Sequence, residues 1–360
     1  MKSDKITNAQ GFMLASLMLM TNSYSVVYGA GADTVWANLL ATAAAAVCAY
    51  LLARVCDFYP EKSFYSVLQT LFGGFFGRVC ALLLILLVLT SGVVSLVVFN
   101  RFVQLTALPR TPQIIIPLLL VLIAAMSFRS GLRSVAGSAR LLFWFAAFVL
   151  VVFVAFGINL SKPRILLPVF SDIRGVFTAA GEVFINRFGA LLALMTVYTR
   201  MENRVSRRRV FVSAVTASGI VFSTIAFMTV SILGTVAMER DFYPAFTAMS
   251  VIEVGGFLQH PEILSSIVMT VCAFFKISVC ILFADDMLSG MFCVSGKEGY
   301  AVPIGLICVS ATQLIYRNAP ALRRMTEWRT PAIFVLGFEL LLPVALVLIL
   351  RIFMRRSRKL

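Results

Sequence analysis

Apolar residues gather into ten runs along this chain, at residues 9–30, 35–55, 79–105, 113–128, 138–158, 175–197, 209–236, 263–284, 300–316 and 332–354. A hydrocarbon core about 30 Å thick takes roughly 20 apolar residues per helical crossing. The pattern therefore predicts an all-α integral membrane protein with ten transmembrane helices in a single polytopic domain. The sixth run is the weakest, because Gly181, Glu182, Asn186, Arg187 and Gly189 interrupt it. Two connectors are partly apolar themselves. Residues 64–76, with Gly73, Gly74 and Gly77 near the end, predict a helix lying on the inner surface. Residues 245–258 are too few to cross and predict an interfacial or re-entrant element on the outer side.

Composition agrees with the pattern: of 360 residues, 60% are hydrophobic and 13% charged, with a mean hydropathy of +0.96. Soluble domains carry about 25% charged residues, so a soluble fold is excluded. The net charge of +15 would suggest nucleic acid on a soluble chain, but in a membrane protein Lys and Arg first report sidedness. With a cytoplasmic amino terminus, ten spans put 19 cations inside and 10 outside, and leave Arg187 and Lys276 within spans. Omitting the sixth run would turn Arg200, Arg204 and Arg207 to Arg209 outward, so the run is kept, and both termini are expected in the cytoplasm. The basic loop from Arg317 to Arg329 breaks the rule locally. Other basic clusters, Arg207 to Arg209 and Arg355 to Lys359, are read as topology signals and contacts with membrane lipids. Lys2 and Lys5 precede an apolar segment without a close small-residue cleavage site, so that segment is expected to stay as the first span. Seven cysteines in or beside apolar runs, in no metal-binding spacing, are read as reduced packing residues.

Polar residues at mid-depth are the candidate site. In the first run Thr21, Asn22, Ser23, Tyr24 and Ser25 stand near the middle of the crossing; in the sixth, Asn186, Arg187, Phe188 and Gly189 do. Hydrocarbon satisfies no backbone hydrogen bond, so such a break must face protein or a wet cavity. If the ten spans divide into repeats over residues 9–158 and 175–354, the breaks open each half, which is how an inverted-repeat transporter builds its binding site. Arg187 is costly in hydrocarbon and needs a partner. That partner is either an acid, with Glu339 of the tenth run the first choice, or the carboxylate of a small ligand. Glu182, five residues before Arg187, lies about 140° around a regular helix, so the two meet only if the helix is broken between them. Lys276 sits roughly 12 Å deep in the eighth run, and Asp285 faces the opposite side of that helix. Its partner is expected on another helix, in a structural or coupling role.

The chain carries no nucleotide-binding loop, HExxH, nucleophile elbow or paired carboxylates. Neither an enzyme, nor a cofactor or metal site, nor nucleic-acid binding is expected.

In order along the chain stand Lys5-Ile6-Thr7 with Gln10, Gly31-Ala32-Asp33-Thr34-Val35-Trp36, Tyr59-Pro60-Glu61-Lys62-Ser63, and Leu71-Phe72-Gly73 with Gly77-Arg78. They are followed by Leu108-Pro109-Arg110-Thr111-Pro112, Leu167-Pro168-Val169 and Phe275-Lys276-Ile277-Ser278. Together these resemble the B-subunit permease of bacterial spore germinant receptors, a branch of the amino acid/polyamine/organocation transporter superfamily. The resemblance implies a five-plus-five inverted repeat with broken helices 1 and 6, residence in the spore inner membrane, and A and C partner subunits. It also implies a small germinant, often an amino acid, bound where those helices unwind. Arg187 stands where an uncharged residue is usual, and Ala190 where an acid is common, which points to an anionic group being read at the sixth helix. A free-standing amino acid or cation symporter would use the same fold and site.

Overall fold

The computed structural model describes residues 5–22, 31–59, 62–127, 131–166, 172–203, 205–252, 260–292, 299–316, 339 and 341–357. Apart from one isolated bridge and the turns, these residues are helical. The amino-terminal half comprises α1 (Asn8–Leu19), α2 (Thr34–Phe58), α3 (Phe64–Phe72), α4 (Gly74–Thr106), α5 (Ile115–Ser127) and α6 (Leu132–Gly157). Then come α7 (Ile173–Val183), α8 (Leu194–Thr199), α9 (Arg207–Leu233), α10 (Thr235–Arg240) and α11 (Pro244–Ser250). The chain closes with α12 (Glu262–Phe292), α13 (Ala301–Tyr316) and α14 (Leu342–Ser357). Six helical segments among the described residues are long and apolar enough to cross a membrane: Gly31–Phe58, Gly74–Thr106, Leu132–Gly157, Ile173–Thr199, Arg207–Leu233 and Glu262–Phe292. α5 and α13 are apolar but shorter.

Helix ends follow local chemistry. Thr7 caps α1 in a capping box: its hydroxyl accepts from the Gln10 amide at 3.3 Å, while the Gln10 side chain accepts from the Thr7 amide at 3.1 Å. α3, the surface helix expected from residues 64–76, stops at Gly73, whose φ of +82° suits glycine. α4 then starts at once, before its apolar run begins. α3 folds back so tightly that a Cβ at Gly77 would press on the Gln69 backbone. Of the outer connector expected at residues 245–258, α11 and residues 251–252 are described, and residues 253–258 lie outside the described set.

α2 packs more extensively against α9 than against any other helix. Their closest approach is at Gly219, where an added Cβ would overlap the side chain of Thr42. Thr42 in turn donates to the Asn38 carbonyl at 2.6 Å. One α9 turn beyond Gly219 stands Phe222, and one α2 turn before Thr42 stands Asn38. The missing side chain at position 219 therefore sets the distance between Asn38 and Phe222.

One end of the bundle is tied by polar contacts. Ile6 bridges Met201 through the bonds Ile6 N to Arg200 O and Glu202 N to Ile6 O, both 3.0 Å. Asn8 donates to the Ser206 hydroxyl at 2.7 Å and to the Asn203 carbonyl at 3.1 Å. Asp57, at the end of α2, accepts from Tyr198 at 2.7 Å and from Arg207 at 2.9 and 2.8 Å. Arg207 is 2% exposed and lies over the Tyr198 ring. Arg200 pairs with Asp286 of α12 at 2.6 Å. The Lys5-Ile6-Thr7 motif with Gln10 thus fastens α1 to the α8–α9 corner.

Two substitutions test this frame. Gly219→Ala forces α2 and α9 apart and costs about 1–3 kcal/mol, as overpacking does; adding Thr42→Ala recovers part of the loss in thermal unfolding of the detergent-purified protein. Asp57→Asn leaves the buried Arg207 charge unpaired and costs about 3 kcal/mol, whereas Asp57→Asn with Arg207→Met is milder in the same assay.

Candidate functional site

α1 ends within its apolar run. After Leu19 the chain turns at Met20, Thr21 and Asn22, and Asn22 has a φ of +66°, a left-handed conformation that Asn tolerates better than most residues. The groups freed by this turn meet protein. The Thr21 hydroxyl lies 2.8 Å from the Cys272 carbonyl of α12 and 2.9 Å from that of Met18, donating toward the two. The Asn22 amide group donates to the Ser95 hydroxyl of α4 at 3.2 Å and to the Asn186 carbonyl at 3.3 Å. Thr21 and Asn22 are both buried. Ser23, Tyr24 and Ser25 lie outside the described residues.

The sixth run also breaks at its polar interruption. α7 ends at Val183, residues Phe184–Phe188 form one wide π-helical turn, and a tight turn at Leu191–Ala193 leads into α8. π turns hydrogen-bond from i to i+5, so they shift the phase of the helix after them. Five residues apart, Glu182 and Arg187 thereby come within electrostatic reach, as a break between them allows. Asn186, half-buried, offers its carbonyl to Asn22. The two breaks are joined by that hydrogen bond.

Arg187 is 4% exposed. One guanidinium nitrogen donates to the Asn38 side-chain oxygen at 3.0 Å, and the guanidinium carbon lies 4.7 Å from the centre of the Phe222 ring. Among the described residues, no carboxylate comes within 4.0 Å of it. The expected pair with Glu339 is not formed, because Arg187 is held between α2 and α9 while Glu339 faces α12. Phe188 is fully buried with its ring against Phe184 and Phe222, so it braces the ring under Arg187. Gly189 is buried at the end of the π turn.

Lys276 and Glu339 come together elsewhere. Each is 1% exposed, and each lies in the other's electrostatic field. Lys276 thus lies in the field of an acid outside α12 without forming an ion pair with it. Asp285 turns instead to the backbone at Gly299 and Tyr300.

The end of α1 is thus bonded to the π turn that follows α7, and a buried cation stands beside that bond. Residues 5–320 match the family model described as spore germination protein. The chain belongs to the spore germination protein family. This is a family of membrane permeases and receptors, not of enzymes. The chain is 24% identical over 235 residues to spore germination protein XB of Bacillus anthracis, covering 63% of this chain and 64% of that relative. It is 21% identical over 303 residues to a Bacillus subtilis (strain 168) protein described as the spore germination protein YfkT, covering 84% and 82%. The alignment thus reaches under two thirds of the XB protein's length. This member of the family is an integral membrane protein of germination, with apolar helices as its bulk.

Sequence reasoning missed Asn38, Ser95 and Phe222, which hold the junction from α2, α4 and α9. Asn38 left a trace, being the only amide in the second apolar run; Phe222 is one of 31 phenylalanines and left none. The Asn22 bridge is open to test with Asn22→Gly, which keeps the turn and removes both bonds. Stranding buried partners costs about 1–3 kcal/mol, read as a lower unfolding midpoint with unchanged helix content.

Proposed function

We propose that this chain is the ligand-binding membrane subunit of a spore germinant receptor. It binds a small germinant, an amino acid or similar molecule, at the junction of the two helix breaks. The observation that carries this reading is Arg187, a cation buried inside the protein whose hydrogen-bond partner among the described residues is a neutral amide, with Glu182 within electrostatic reach but no carboxylate in contact. Guanidinium has five N–H donors in a fork suited to carboxylate, and Asn38 takes one. A ligand carboxylate would supply a charge in direct contact and accept from other donors of the fork. Asn22, beside Asn186, would meet the ligand's polar groups, and residues 23–25 would complete the site.

In this reading the protein spans the spore inner membrane ten times as two inverted repeats, with both termini in the cytoplasm, and works with A and C subunits. The germinant enters from the outer side and biases a rocking of one helix bundle against the other. It can do so only by binding the two states with different affinity. The polar ties around Asp57, Arg207 and Arg200 lie at the cytoplasmic end and would hold that end shut in one of the states.

Spores carrying Arg187→Ala are expected to keep the protein in the membrane and to lose the response to carboxylate-bearing germinants. Loss of the protein itself would instead make Arg187 a structural cation. Asn38→Asp is the sharper variant: it places a carboxylate on Arg187, so unfolding moves to higher temperature while the germination response falls at least about tenfold, the effect of losing roughly 1.4 kcal/mol of binding. A response unchanged by Asn38→Asp refutes the site. Substrate counterflow at transporter rates by the purified chain alone in liposomes refutes the receptor role in favour of a symporter.

A further inference from the structure

The pair Lys276 and Glu339 has a use that does not depend on where the germinant docks. Both side chains are 1% exposed. The Lys276 ammonium nitrogen lacks a hydrogen-bond partner among the described residues, and the Glu339 carboxylate has no side-chain partner there and faces the backbone N–H of Leu191. They face each other electrostatically, yet stand more than 4.0 Å apart, short of an ion pair. Among the described residues the other titratable groups coupled to them are thiols, Cys48 on α2 and Cys280 one turn beyond Lys276 on α12, and Cys308 on α13 faces Cys280 in turn. Buried charges elsewhere are treated otherwise, since Arg207 is closed by Asp57 and Arg187 by an amide and a ring.

Two opposite charges held apart in an apolar interior gain little from each other and forgo the hydration of both. Such groups neutralise by moving protons. Uptake of one proton from water by the Glu339 carboxylate gives a carboxylic acid beside the Lys276 ammonium, one positive charge more, and its release to water restores the carboxylate and the net-neutral pair. A metal ion does not suit the place. Cations of the calcium or magnesium type need several oxygen ligands, whereas here there is one carboxylate beside a competing ammonium. No cluster of metal-ligating residues occurs among the described residues. An anion would meet the Glu339 charge.

We infer that Lys276 and Glu339 form a proton-binding site, where α2, α12 and α13 meet the segment leading into α14. The proton is taken from and returned to water, and the charge it adds or removes acts on the packing of these helices.

The test uses the full chain reconstituted in liposomes, followed by infrared difference spectroscopy as pH is stepped. Wild-type protein is expected to show the carbonyl stretch of a protonated carboxylic acid that comes and goes over one pH interval. Glu339→Gln removes that band. Lys276→Met keeps it but moves the interval by about one to three pH units, the usual effect of a nearby charge. Glu339→Asp, which keeps an acid, shifts the band's frequency and serves where the Gln variant does not insert. The proposal is overturned if no such band titrates in the wild type, if the band survives Glu339→Gln or keeps its frequency in Glu339→Asp, or if Lys276→Met leaves the interval in place. Each of those results makes the pair a static structural feature.

Discussion

Hydrocarbon offers no partner to a backbone N–H or C=O, and most of this protein's particular features answer to that constraint. A helix can stop at mid-depth only where other protein groups receive what it releases. α1 can stop at Leu19 because Thr21 reaches the α12 backbone and Asn22 reaches α4 and the Asn186 carbonyl. After α7 the helix widens at residues 184–188 without abandoning hydrogen bonding, and the carbonyl of Asn186 is taken up by Asn22. The two interruptions share that bond. Each supplies groups that the other needs, which is why they lie together in space although 164 residues separate Asn22 from Asn186.

The positions of both breaks were legible in the sequence, since polar residues within an apolar run are conspicuous. Their form was not. Whether a polar interruption yields a left-handed turn, as at Asn22, or a π turn, as at Phe184–Phe188, depends on the partners that three-dimensional packing brings. The partner of Arg187 was misjudged for a related reason. Charge alone nominated Glu339, but Asn38 and Phe222 are held close by the α2–α9 contact, and nothing in their spacing along the chain announces it. Helix lengths were partly readable: α4 begins ahead of its apolar run because Gly73 forces the turn there, while the runs at 113–128 and 300–316 appear as shorter helices.

Arginine and lysine within the membrane meet different fates here. The guanidinium of Arg187 is planar, so it can lie on an aromatic ring and still present donors along its edge. Among the described residues it rests on the Phe222 ring and donates to Asn38. The ammonium of Lys276 is a point charge on a flexible stem, with no ring and no hydrogen-bond acceptor in reach among the described residues. One chemistry is fit to hold a ligand, the other to exchange a proton. The structure keeps them apart, with Arg187 between α2 and α9 and Lys276 on α12.

Gly219 touches neither cation. Yet by letting Thr42 seat against the α9 backbone it works as the spacer of a pair of jaws, with the amide of Asn38 as one jaw and the ring of Phe222 as the other. A change of a fraction of an ångström between α2 and α9 would alter how Arg187 is gripped, and so how much of its fork is turned outward. The geometry around the cation is thereby adjustable from a position that does not touch it, by changing a spacer and leaving the cation in place.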